Sequence, residues 1–377
     1  MRLLDRYLLR ELLLPLGYCL GGFLISFVAF DLFSNISDFQ KAKLSAAEIL
    51  EYYFNRTPEF LVTSYLMPMS LLLALLYSLT NHARHNELTA MRAAAIPLWR
   101  IAMPYLGVGL IFSLVVFYVN EQLLPQGAEA AERVLTRHTS DQFKTAAGKL
   151  WHPNVFFKND VANRSWRIGI YHMVSNTMVK PHIEWTREDG SRLQLDADGA
   201  RWVGRRWVFT NAEQMTYAAE VGALPEVLKT NRLIIPELTE TPRIIKSEIR
   251  ISGLSDSIRS FKRIHLSSGA IIDFLNLHPK LDRKRSTALR TLLHSRLAAP
   301  WICFVVVLIA VPFGSLPGRR NVFVGVASSV FICFLFFITK DLTLALGGGG
   351  YVAPWLAAWM PNLIFATTGV VLMWRAR

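Results

Sequence analysis

The chain has 377 residues, of which 18% are charged and 52% are hydrophobic. Soluble domains carry about 25% charged residues. Here the charges are nearly absent from six stretches and concentrated in the middle of the chain, which excludes a single soluble globule. The formal net charge is +13. Such a basic excess suits nucleic acid, an anionic membrane surface or an anionic substrate as a partner.

Six stretches of about 20 residues have the length that an α-helix needs to cross about 30 Å of hydrocarbon. A cleaved signal peptide is the alternative for the first stretch, but its length and the lack of a small-residue cleavage pattern disfavour that interpretation. We therefore predict six transmembrane helices, at 12–33, 60–79, 101–119, 297–318, 321–339 and 352–373.

Basic residues in the short loops set the predicted orientation, because cytoplasmic loops carry the excess of Lys and Arg. With the N-terminus in the cytoplasm, the inner side receives ten of these residues and the outer short loops receive four. Both termini are therefore predicted to be cytoplasmic, in a multi-pass membrane protein whose residues 120–296 lie outside the cytoplasm.

The loop between the second and third predicted helices carries His82 and His85, three residues apart on a probable helix. Without a nearby third ligand the pair does not match a zinc site, and we interpret both as polar loop residues. The cysteines Cys19, Cys303 and Cys333 fall in predicted spans, where we expect buried small apolar side chains. No metal site or cofactor site is predicted.

The long insert between the third and fourth spans changes from apolar runs to short alternating ones between about 146 and 254, typical of half-buried strands. Turn signals at Asp189-Gly190, Asp198-Gly199 and Gly204 separate them. Eight or so short strands predict a sandwich or jellyroll, with helical flanks at 125–139 and 256–275. This all-β domain could be a stable outer cap, or its inner face could hold an apolar ligand.

The charge of the insert and the absence of two catalytic motifs limit the classes of function that the chain can have. Segment 126–296 has 27 Lys and Arg against 18 Asp and Glu, a net +9. On the outer side, this excess favours an anionic amphiphile over nucleic acid. Neither a phosphate-binding Gly-x-x-x-x-Gly-Lys loop nor a Gly-x-Ser-x-Gly elbow occurs. We therefore predict no catalytic residue and no nucleotide-hydrolysing site, and interpret Gly347–Gly350 as a flexible turn.

Three motifs resemble the lipopolysaccharide-export permeases of the LptF/LptG type. The start Leu4-Asp5-Arg6-Tyr7-Leu8 is similar to the start of that family, Asn86-Glu87-Leu88-Thr89-Ala90-Met91-Arg92-Ala93-Ala94 to its cytoplasmic coupling helix, and Ala357-Ala358-Trp359-Met360-Pro361-Asn362-Leu363 to its last helix. Asn120-Glu121 with Pro125-Gln126-Gly127, and Arg296-Leu297-Ala298-Ala299-Pro300, add weaker matches in the same order.

This resemblance implies a membrane α-helical bundle of three plus three helices around a jellyroll-like domain. The expected divisions are 1–125, with a coupling helix at about 81–98, then 126–296, then 297–377. It also implies a permease subunit of an ATP-binding-cassette exporter that extracts lipopolysaccharide from the inner membrane. The implied partners are a cytoplasmic ATPase dimer, a second permease subunit (a paralogue or a second copy), a periplasmic bridge protein of jellyroll type, lipopolysaccharide and membrane lipids. A scaffold or sensor that transports nothing, and whose outer domain binds an envelope protein or lipid, is the alternative.

The resemblance also suggests site residues. On a helix Glu87 and Met91 share one face and Leu88 and Arg92 the adjacent one, so these four are the expected contacts to the ATPase; the alternative is an ordinary solvated loop helix. Candidate contacts to lipid phosphate are Lys41, Lys43, Arg133 and Arg137. Candidate residues of a lateral opening for acyl chains are Phe23, Phe27, Phe30, Phe331, Phe334 and Phe337, although aromatic stripes more often face lipid or pack the bundle.

The sequence departs from this family at two places. Ala95 and Pro97 follow the coupling-helix motif where the family often has Gly and Ser. Asp31 and Asp38 stand at the outer end of the first span, where some members place lysines.

Overall fold

The computed structural model describes residues 3–63, 65–137, 151–218, 224–252, 266–314 and 322–375. The chain divides into two compact units. The first, the membrane unit, contains Met1–Val134 and Arg290–Arg377. The second, the inserted unit, contains Leu135–Leu289.

The helices are α1 (Leu3–Lys41), α2 (Ala46–Thr63), α3 (Leu66–Arg84), α4 (Glu87–Ala93), α5 (Leu98–Tyr118), α6 (Leu124–Thr136), α7 (Pro242–Ser252), α8 (Ser268–Leu277), α9 (Arg283–Ala298), α10 (Ile302–Gly314), α11 (Val322–Gly348) and α12 (Pro354–Arg375). A π-helical turn at Val119–Leu123 joins α5 to α6, and a 3₁₀ turn at Ala299–Trp301 joins α9 to α10. Of the predicted helical flanks, 138–139 and 256–265 lie outside the described residues.

Six helical segments in the described residues are long and apolar enough to cross a membrane, and each overlaps a predicted span. They are Leu3–Lys41, Leu66–Arg84, Leu98–Leu135, Arg283–Gly314, Val330–Gly348 and Pro354–Arg375. The six-span prediction is therefore confirmed. The second span begins at Leu66 rather than at 60, because α2 ends at Thr63 and Tyr65 takes the left-handed conformation, with φ 54°.

The core of the membrane unit surrounds α10, which is apolar throughout and has eleven of its 13 residues buried. The helix packs among α3, α5, α11 and α12. Small residues permit the close approach. A Cβ on Gly369 of α12 would lie 2.9 Å from the backbone carbonyl of Leu308 in α10. Cys303 and Cys333 are buried as predicted, whereas Cys19 is only half-buried.

Helix α1 is attached to the membrane unit unevenly along its length. Leu8, Leu12 and Leu16 are buried and recur every four residues, so one face of its first half packs against the bundle. No residue from 17 to 38 is buried, and Phe39 is the next buried side chain. The middle of α1 therefore makes shallower contacts, such as those of Leu20 with the core and of Phe27 and Asp31 with α2.

The described residues of the inserted unit form a six-stranded antiparallel sheet in which strands adjacent in sequence are neighbours. The strands are β1 (Trp151–Asn159), β2 (Arg164–His172), β3 (Thr177–Thr186), β4 (Arg192–Val203), β5 (Arg206–Tyr217) and β6 (Glu226–Ile234). The predicted all-β insert is confirmed. The described strands, of 9 to 12 residues, are fewer and longer than the eight or so short strands expected.

Two of the three predicted turn signals are turns. Gly190 lies between β3 and β4 with φ 84°, and Gly204 lies between β4 and β5 with φ 58°. The prediction of a turn at Asp198-Gly199 is wrong, because both residues lie inside β4. There a Cβ on Gly199 would be 3.2 Å from the carbonyl oxygen of Met178, so this glycine serves close strand packing.

The alternation of the strands gives the sheet one buried and one polar face. Trp166, Ile183 and Phe209 belong to the buried face, with Ile245 of α7 and Leu277 of α8 in the same core. On the polar face, a row runs across five paired strands through Arg167, His182, Asp196, Glu213 and Lys229.

Candidate functional site

Helix α4 occupies the predicted coupling segment between the second and third spans. Asn86, with φ 57°, turns the chain out of α3 and into α4. At the other end, Ala95, with φ 60°, and Pro97 turn it into α5. Both turns depend on a left-handed residue, which gives this short helix a defined direction between the two spans.

Glu87, the first residue of α4, is held by two side chains from two other helices. The hydroxyl of Tyr7 in α1 lies 3.0 and 3.1 Å from its two carboxylate oxygens, and Nδ1 of His82 in α3 lies 2.7 Å from Oε2. A carboxylate can only accept, so the phenol and the imidazole N–H donate. Partial burial by itself raises the pKa of Glu87, but these hydrogen bonds outweigh it and lower the pKa below its ordinary value.

The other candidate residues of α4 divide between the bundle and solvent. Leu88 is buried in the core of the membrane unit, and Met91 packs against that core. Arg92 is half-buried. The exposed residues of the helix are Thr89, Ala90 and Ala93. The structure thus brings Glu87, Leu88 and Met91 against their own bundle and leaves a small-residue face exposed.

The interpretation of His82 as a polar loop residue is wrong. Its side chain is 1% exposed and lies near the end of α3. Because Nδ1 donates to Glu87, a neutral ring presents Nε2 as an acceptor to the hydroxyl of Ser78, 3.4 Å away. The five-residue spacing between His82 and Glu87 gave no signal, since the helix ends between them. His85, in contrast, is exposed.

A second polar link joins the start of α1 to the start of α5. Nη2 of Arg100 donates to Oδ2 of Asp5 at 3.0 Å, and its Nη1 lies 2.8 Å from Oδ1 of the same carboxylate. Such a two-point contact fixes the relative orientation of the side chains better than a single bond does. Tyr7 and Asp5 belong to the motif at the start of the chain, so that motif contacts both α4 and α5.

Asp31 does not present an unpaired negative charge. Arg56 of α2 donates to it at 2.9 Å, and the hydroxyl of Tyr53 donates at 3.1 Å. Arg56 also donates to Glu59 at 3.0 Å and to the hydroxyl of Tyr52 at 2.6 Å. Burial by itself lowers the pKa of Arg56, but Glu59, Tyr52 and Asp31 together raise it above its ordinary value. These side chains pin α2 to α1.

The candidate phosphate contacts lie at chain turns and helix ends. Lys41 ends α1 with Nζ 3.6 Å from Asp38, and both side chains are largely exposed, so this pair holds neither in place firmly. Lys43 is exposed in the turn after α1, with φ 52°. Arg133 is in the last turn of α6, 3.8 Å from Glu129, and Arg137 follows the end of α6.

The candidate phenylalanines of the lateral opening fall into two groups. Phe30, Phe331 and Phe334 are more than 60% exposed on α1 and α11. Phe23 is half-buried, Phe27 contacts the Phe60 ring at 6.4 Å, and Phe337 contacts the Tyr65 ring at 4.8 Å. Phe30, Phe331 and Phe334 are therefore the members of this set that can meet a lipid or another chain without rearrangement.

The weaker motifs meet inside the membrane unit. Arg296 of α9 donates to the backbone carbonyl of Asn120 at 2.7 Å, and its Nε lies 3.5 Å from Glu121. Both partners belong to the π-helical turn, whose wide winding disrupts the regular backbone ladder. Asn362 of α12 donates to the carbonyl of Ala298 at 2.8 Å. Motifs separated by up to 176 residues thus form direct contacts.

We compared the sequence with models of known protein families. The family model for the lipopolysaccharide export system permease LptF/LptG matches residues 6–375. The chain belongs to the LptF/LptG family. A comparison with curated proteins finds no match.

Membership confirms the resemblance drawn from the motifs, and it covers essentially the whole chain. As a member of LptF/LptG, the chain is a lipopolysaccharide export permease, a transport subunit and a multi-pass protein of the inner membrane. The fold agrees with this family in its six helices able to span a membrane and its inserted antiparallel sheet.

Proposed function

We propose that this chain is the permease subunit of an ATP-binding-cassette exporter driven by a separate cytoplasmic ATPase dimer. A second permease subunit, a paralogue or a second copy, completes the membrane part. Lipopolysaccharide leaves the inner membrane through this pair and passes to a periplasmic bridge protein of jellyroll type. The observation that carries the proposal is α4, a helix between two spans that is tied into its own bundle by Glu87 and Leu88.

The proposed topology has both termini and α4 in the cytoplasm and residues 120–296 in the periplasm. The distribution of basic residues over the short loops supports it. The domains in this arrangement are 1–125, 126–296 and 297–377. Helix α4 then lies on the side of the membrane where ATP is available, and the inserted sheet lies on the side to which lipopolysaccharide travels.

In this function the exposed face of α4 contacts the ATPase. Thr89, Ala90 and Ala93 are small, so another chain can approach the helix backbone closely. Glu87 is still a third exposed and offers an acceptor at the edge of that face. A movement of α4 caused by the ATPase would reach the bundle through Leu88, which is buried in the core, and Met91, which packs against it.

On the other side of the membrane, Lys41, Lys43, Arg133 and Arg137 are the proposed contacts to lipid phosphate. Asp31, on the same helix as Lys41, is paired with Arg56 and so does not present an unpaired negative charge to a lipid phosphate. The phenylalanines of α1 and α11 are the proposed lining of the lateral opening. Within the described residues β6 pairs with β5 alone, and its unpaired edge is the proposed contact for a strand of the bridge protein.

Purification in mild detergent, with identification of bound proteins and mass spectrometry of bound lipids, tests the proposal. We expect the wild-type chain to carry an ATPase and lipopolysaccharide. Glu87→Arg and Ala90→Arg should each lower ATPase recovery at least tenfold without reducing membrane insertion, and Glu51→Arg on α2 is the matched control.

Replacing the four basic residues by alanine should lower recovery of lipopolysaccharide while ATPase recovery stays unchanged. A control lipid without phosphates should bind wild type and variant equally. Recovery of neither an ATPase nor lipopolysaccharide with the wild-type chain would favour the scaffold or sensor function instead.

A further inference from the structure

Three helices of the membrane unit converge on one carboxylate. Glu87 of α4 accepts from Tyr7 of α1 through both oxygens and from His82 of α3 through Oε2. The Tyr7 and His82 rings are themselves in contact, with centroids 5.5 Å apart. The three side chains therefore form one unit, in which α4 cannot shift without breaking a hydrogen bond or moving α1.

The start of α1 is fixed on a second side by the two-point contact between Asp5 and Arg100. Leu8, Leu12 and Leu16 then seat the next three turns in the bundle core. Beyond them, residues 17–38 include no buried side chain. Because α1 is one continuous helix from Leu3 to Lys41, a displacement of its first turns is passed along its length, including to Asp31, which contacts Arg56 and Tyr53 of α2.

We infer that Tyr7 and His82 are positioning residues that join the coupling helix to α1, so that ATPase closure against α4 moves α1 directly. This inference rests on the proposed function and extends it. In this proposal the movement of α4 reaches α1 through side-chain contacts. It also reaches α3 and α5 through the backbone, because α4 is joined to both. Tyr7 connects Glu87 to α1 through its hydroxyl, and His82 holds the Glu87 carboxylate in the position where it accepts that hydrogen bond.

Transport by the full chain, reconstituted in liposomes with its partner permease, the ATPase and lipopolysaccharide, tests the inference. Both ATP hydrolysis and lipopolysaccharide release are measured. We expect Tyr7→Phe to bind the ATPase and hydrolyse ATP as wild type does, while releasing several-fold less lipopolysaccharide per ATP. Tyr18→Phe, at an exposed tyrosine of the same helix, should change neither quantity.

The His82 variants separate positioning from packing. His82→Leu fills the space without a donor and should behave like Tyr7→Phe, whereas His82→Gln retains a donor and should restore much of the release per ATP. A wild-type ratio of release to hydrolysis in Tyr7→Phe would overturn the inference while leaving the proposed function standing. Failure of the wild-type chain to bind an ATPase would overturn both.

A measurement on the permease alone checks the contact itself. Thermal unfolding of Tyr7→Phe, Glu87→Ala and the double variant in detergent forms a cycle, and we expect the double variant to lose less than the sum of the single losses. Strict additivity would show that the two side chains do not act together and would also overturn the inference.

Discussion

Ala95 takes a backbone conformation that suits glycine better. Its φ of 60° places it in the left-handed region, where a Cβ crowds the following carbonyl at a cost of roughly 1–2 kcal/mol. The turn nevertheless has to form there, because it directs the chain from α4 into α5. The residue therefore stores strain at the end of the proposed coupling helix.

We predict that Ala95→Gly stabilises the protein. Relief of the strain is partly offset by the greater freedom that glycine gives the unfolded chain, roughly 0.4–1 kcal/mol, which leaves a gain of about 0.5 kcal/mol. Thermal unfolding in detergent measures it. Ala93→Gly in α4 is the control and should destabilise, since that position is helical. An unchanged or lower unfolding temperature for Ala95→Gly would contradict the prediction.

Sequence reasoning selected Glu87 at this scale but not the side chains that hold it. Glu87 stands out as an acidic residue at the start of a short amphipathic segment. Tyr7 lies 80 residues away, and no local pattern connects the two. His82 is close in sequence, but its burial depends on how α1 packs against α3. Contacts between distant segments carry no periodicity, so only the folded chain shows them.

The element on which the membrane unit depends is α10. A helix with apolar residues on every side can be buried on every side, and its neighbours then have to approach it closely. At Gly369 the backbone of α12 approaches α10 so closely that a Cβ would lie 2.9 Å from both the carbonyl carbon and the oxygen of Leu308. Neither helix can yield there without losing contacts along its length.

We predict that Gly369→Leu destabilises the protein by about 1–3 kcal/mol, the usual cost of overpacking a core. The readout is the temperature at which the detergent-solubilised protein aggregates. Gly107→Leu is the matched control, because a Cβ at Gly107 of α5 meets nothing within 4 Å, and it should be tolerated. Equal effects of the two substitutions would show that helix propensity, and not the contact with α10, decides the outcome.

Elements with strong patterns were predictable and their ends were not. Hydropathy located all six spans because bilayer thickness fixes their length. It merged α2 with the second span, because apolar side chains continue across the break at Tyr65. In the insert, alternation identified strands correctly. The glycine at 199 suggested an extra turn because sequence does not distinguish a turn glycine from one that admits a neighbouring strand.

In both units of the molecule, polar pairs supplement an apolar core. The membrane unit relies on apolar packing around α10. The inserted unit also buries charge. Arg164 and Glu240 form an ion pair at 3.1 Å with side chains 4% and 0% exposed. Asn159 donates to the Glu240 carboxylate at 2.6 Å, and the Trp207 indole donates to the backbone carbonyl of Glu240 at 2.6 Å. Further hydrogen bonds from Arg164 to the Glu237 carbonyl and the Thr239 hydroxyl offset part of the cost of removing this pair from water.

His278 makes the inserted unit sensitive to pH. It lies 2.7 Å from Glu248 of α7 and 3.5 Å from Asp160 after β1, and so joins α7, α8 and the sheet. Burial by itself lowers the pKa of His278, but the two carboxylates outweigh it and raise the pKa above its ordinary value. The stabilisation is therefore complete below about pH 6.5, the pKa of an unfolded-chain histidine, and is lost as pH rises through the folded pKa.

We predict that protection of the 268–277 helix from amide exchange falls between pH 6 and pH 8, after correction for intrinsic rates. His278→Gln should show a smaller fall and less protection at pH 6. Measuring the full chain in detergent by hydrogen exchange gives both values. Equal pH dependence in wild type and variant would assign the effect to another group, such as His182, whose pKa is also raised.

The length of α1 has a consequence for the geometry at the membrane surface. Its 39 residues extend about 58 Å at 1.5 Å per residue, whereas the hydrocarbon layer is about 30 Å thick. Residues 12–30 carry no charge and fit that layer. The helix then projects roughly 13 Å on one side and roughly 16 Å on the other.

Arg56 and Tyr53 fasten α2 beside the second projection, so the chain turns back only after the helix has left the hydrocarbon. The length of α1 thus determines how far Lys41, its last residue, lies from the hydrocarbon layer. Adding or removing residues would change the height of Lys41 in steps of about 1.5 Å, each with a turn of about 100° around the helix axis. The distance of Lys41 from the membrane and the side of the helix on which it lies therefore change together. Only a change of about seven residues, close to two turns, would move Lys41 along the axis while leaving it on nearly the same side.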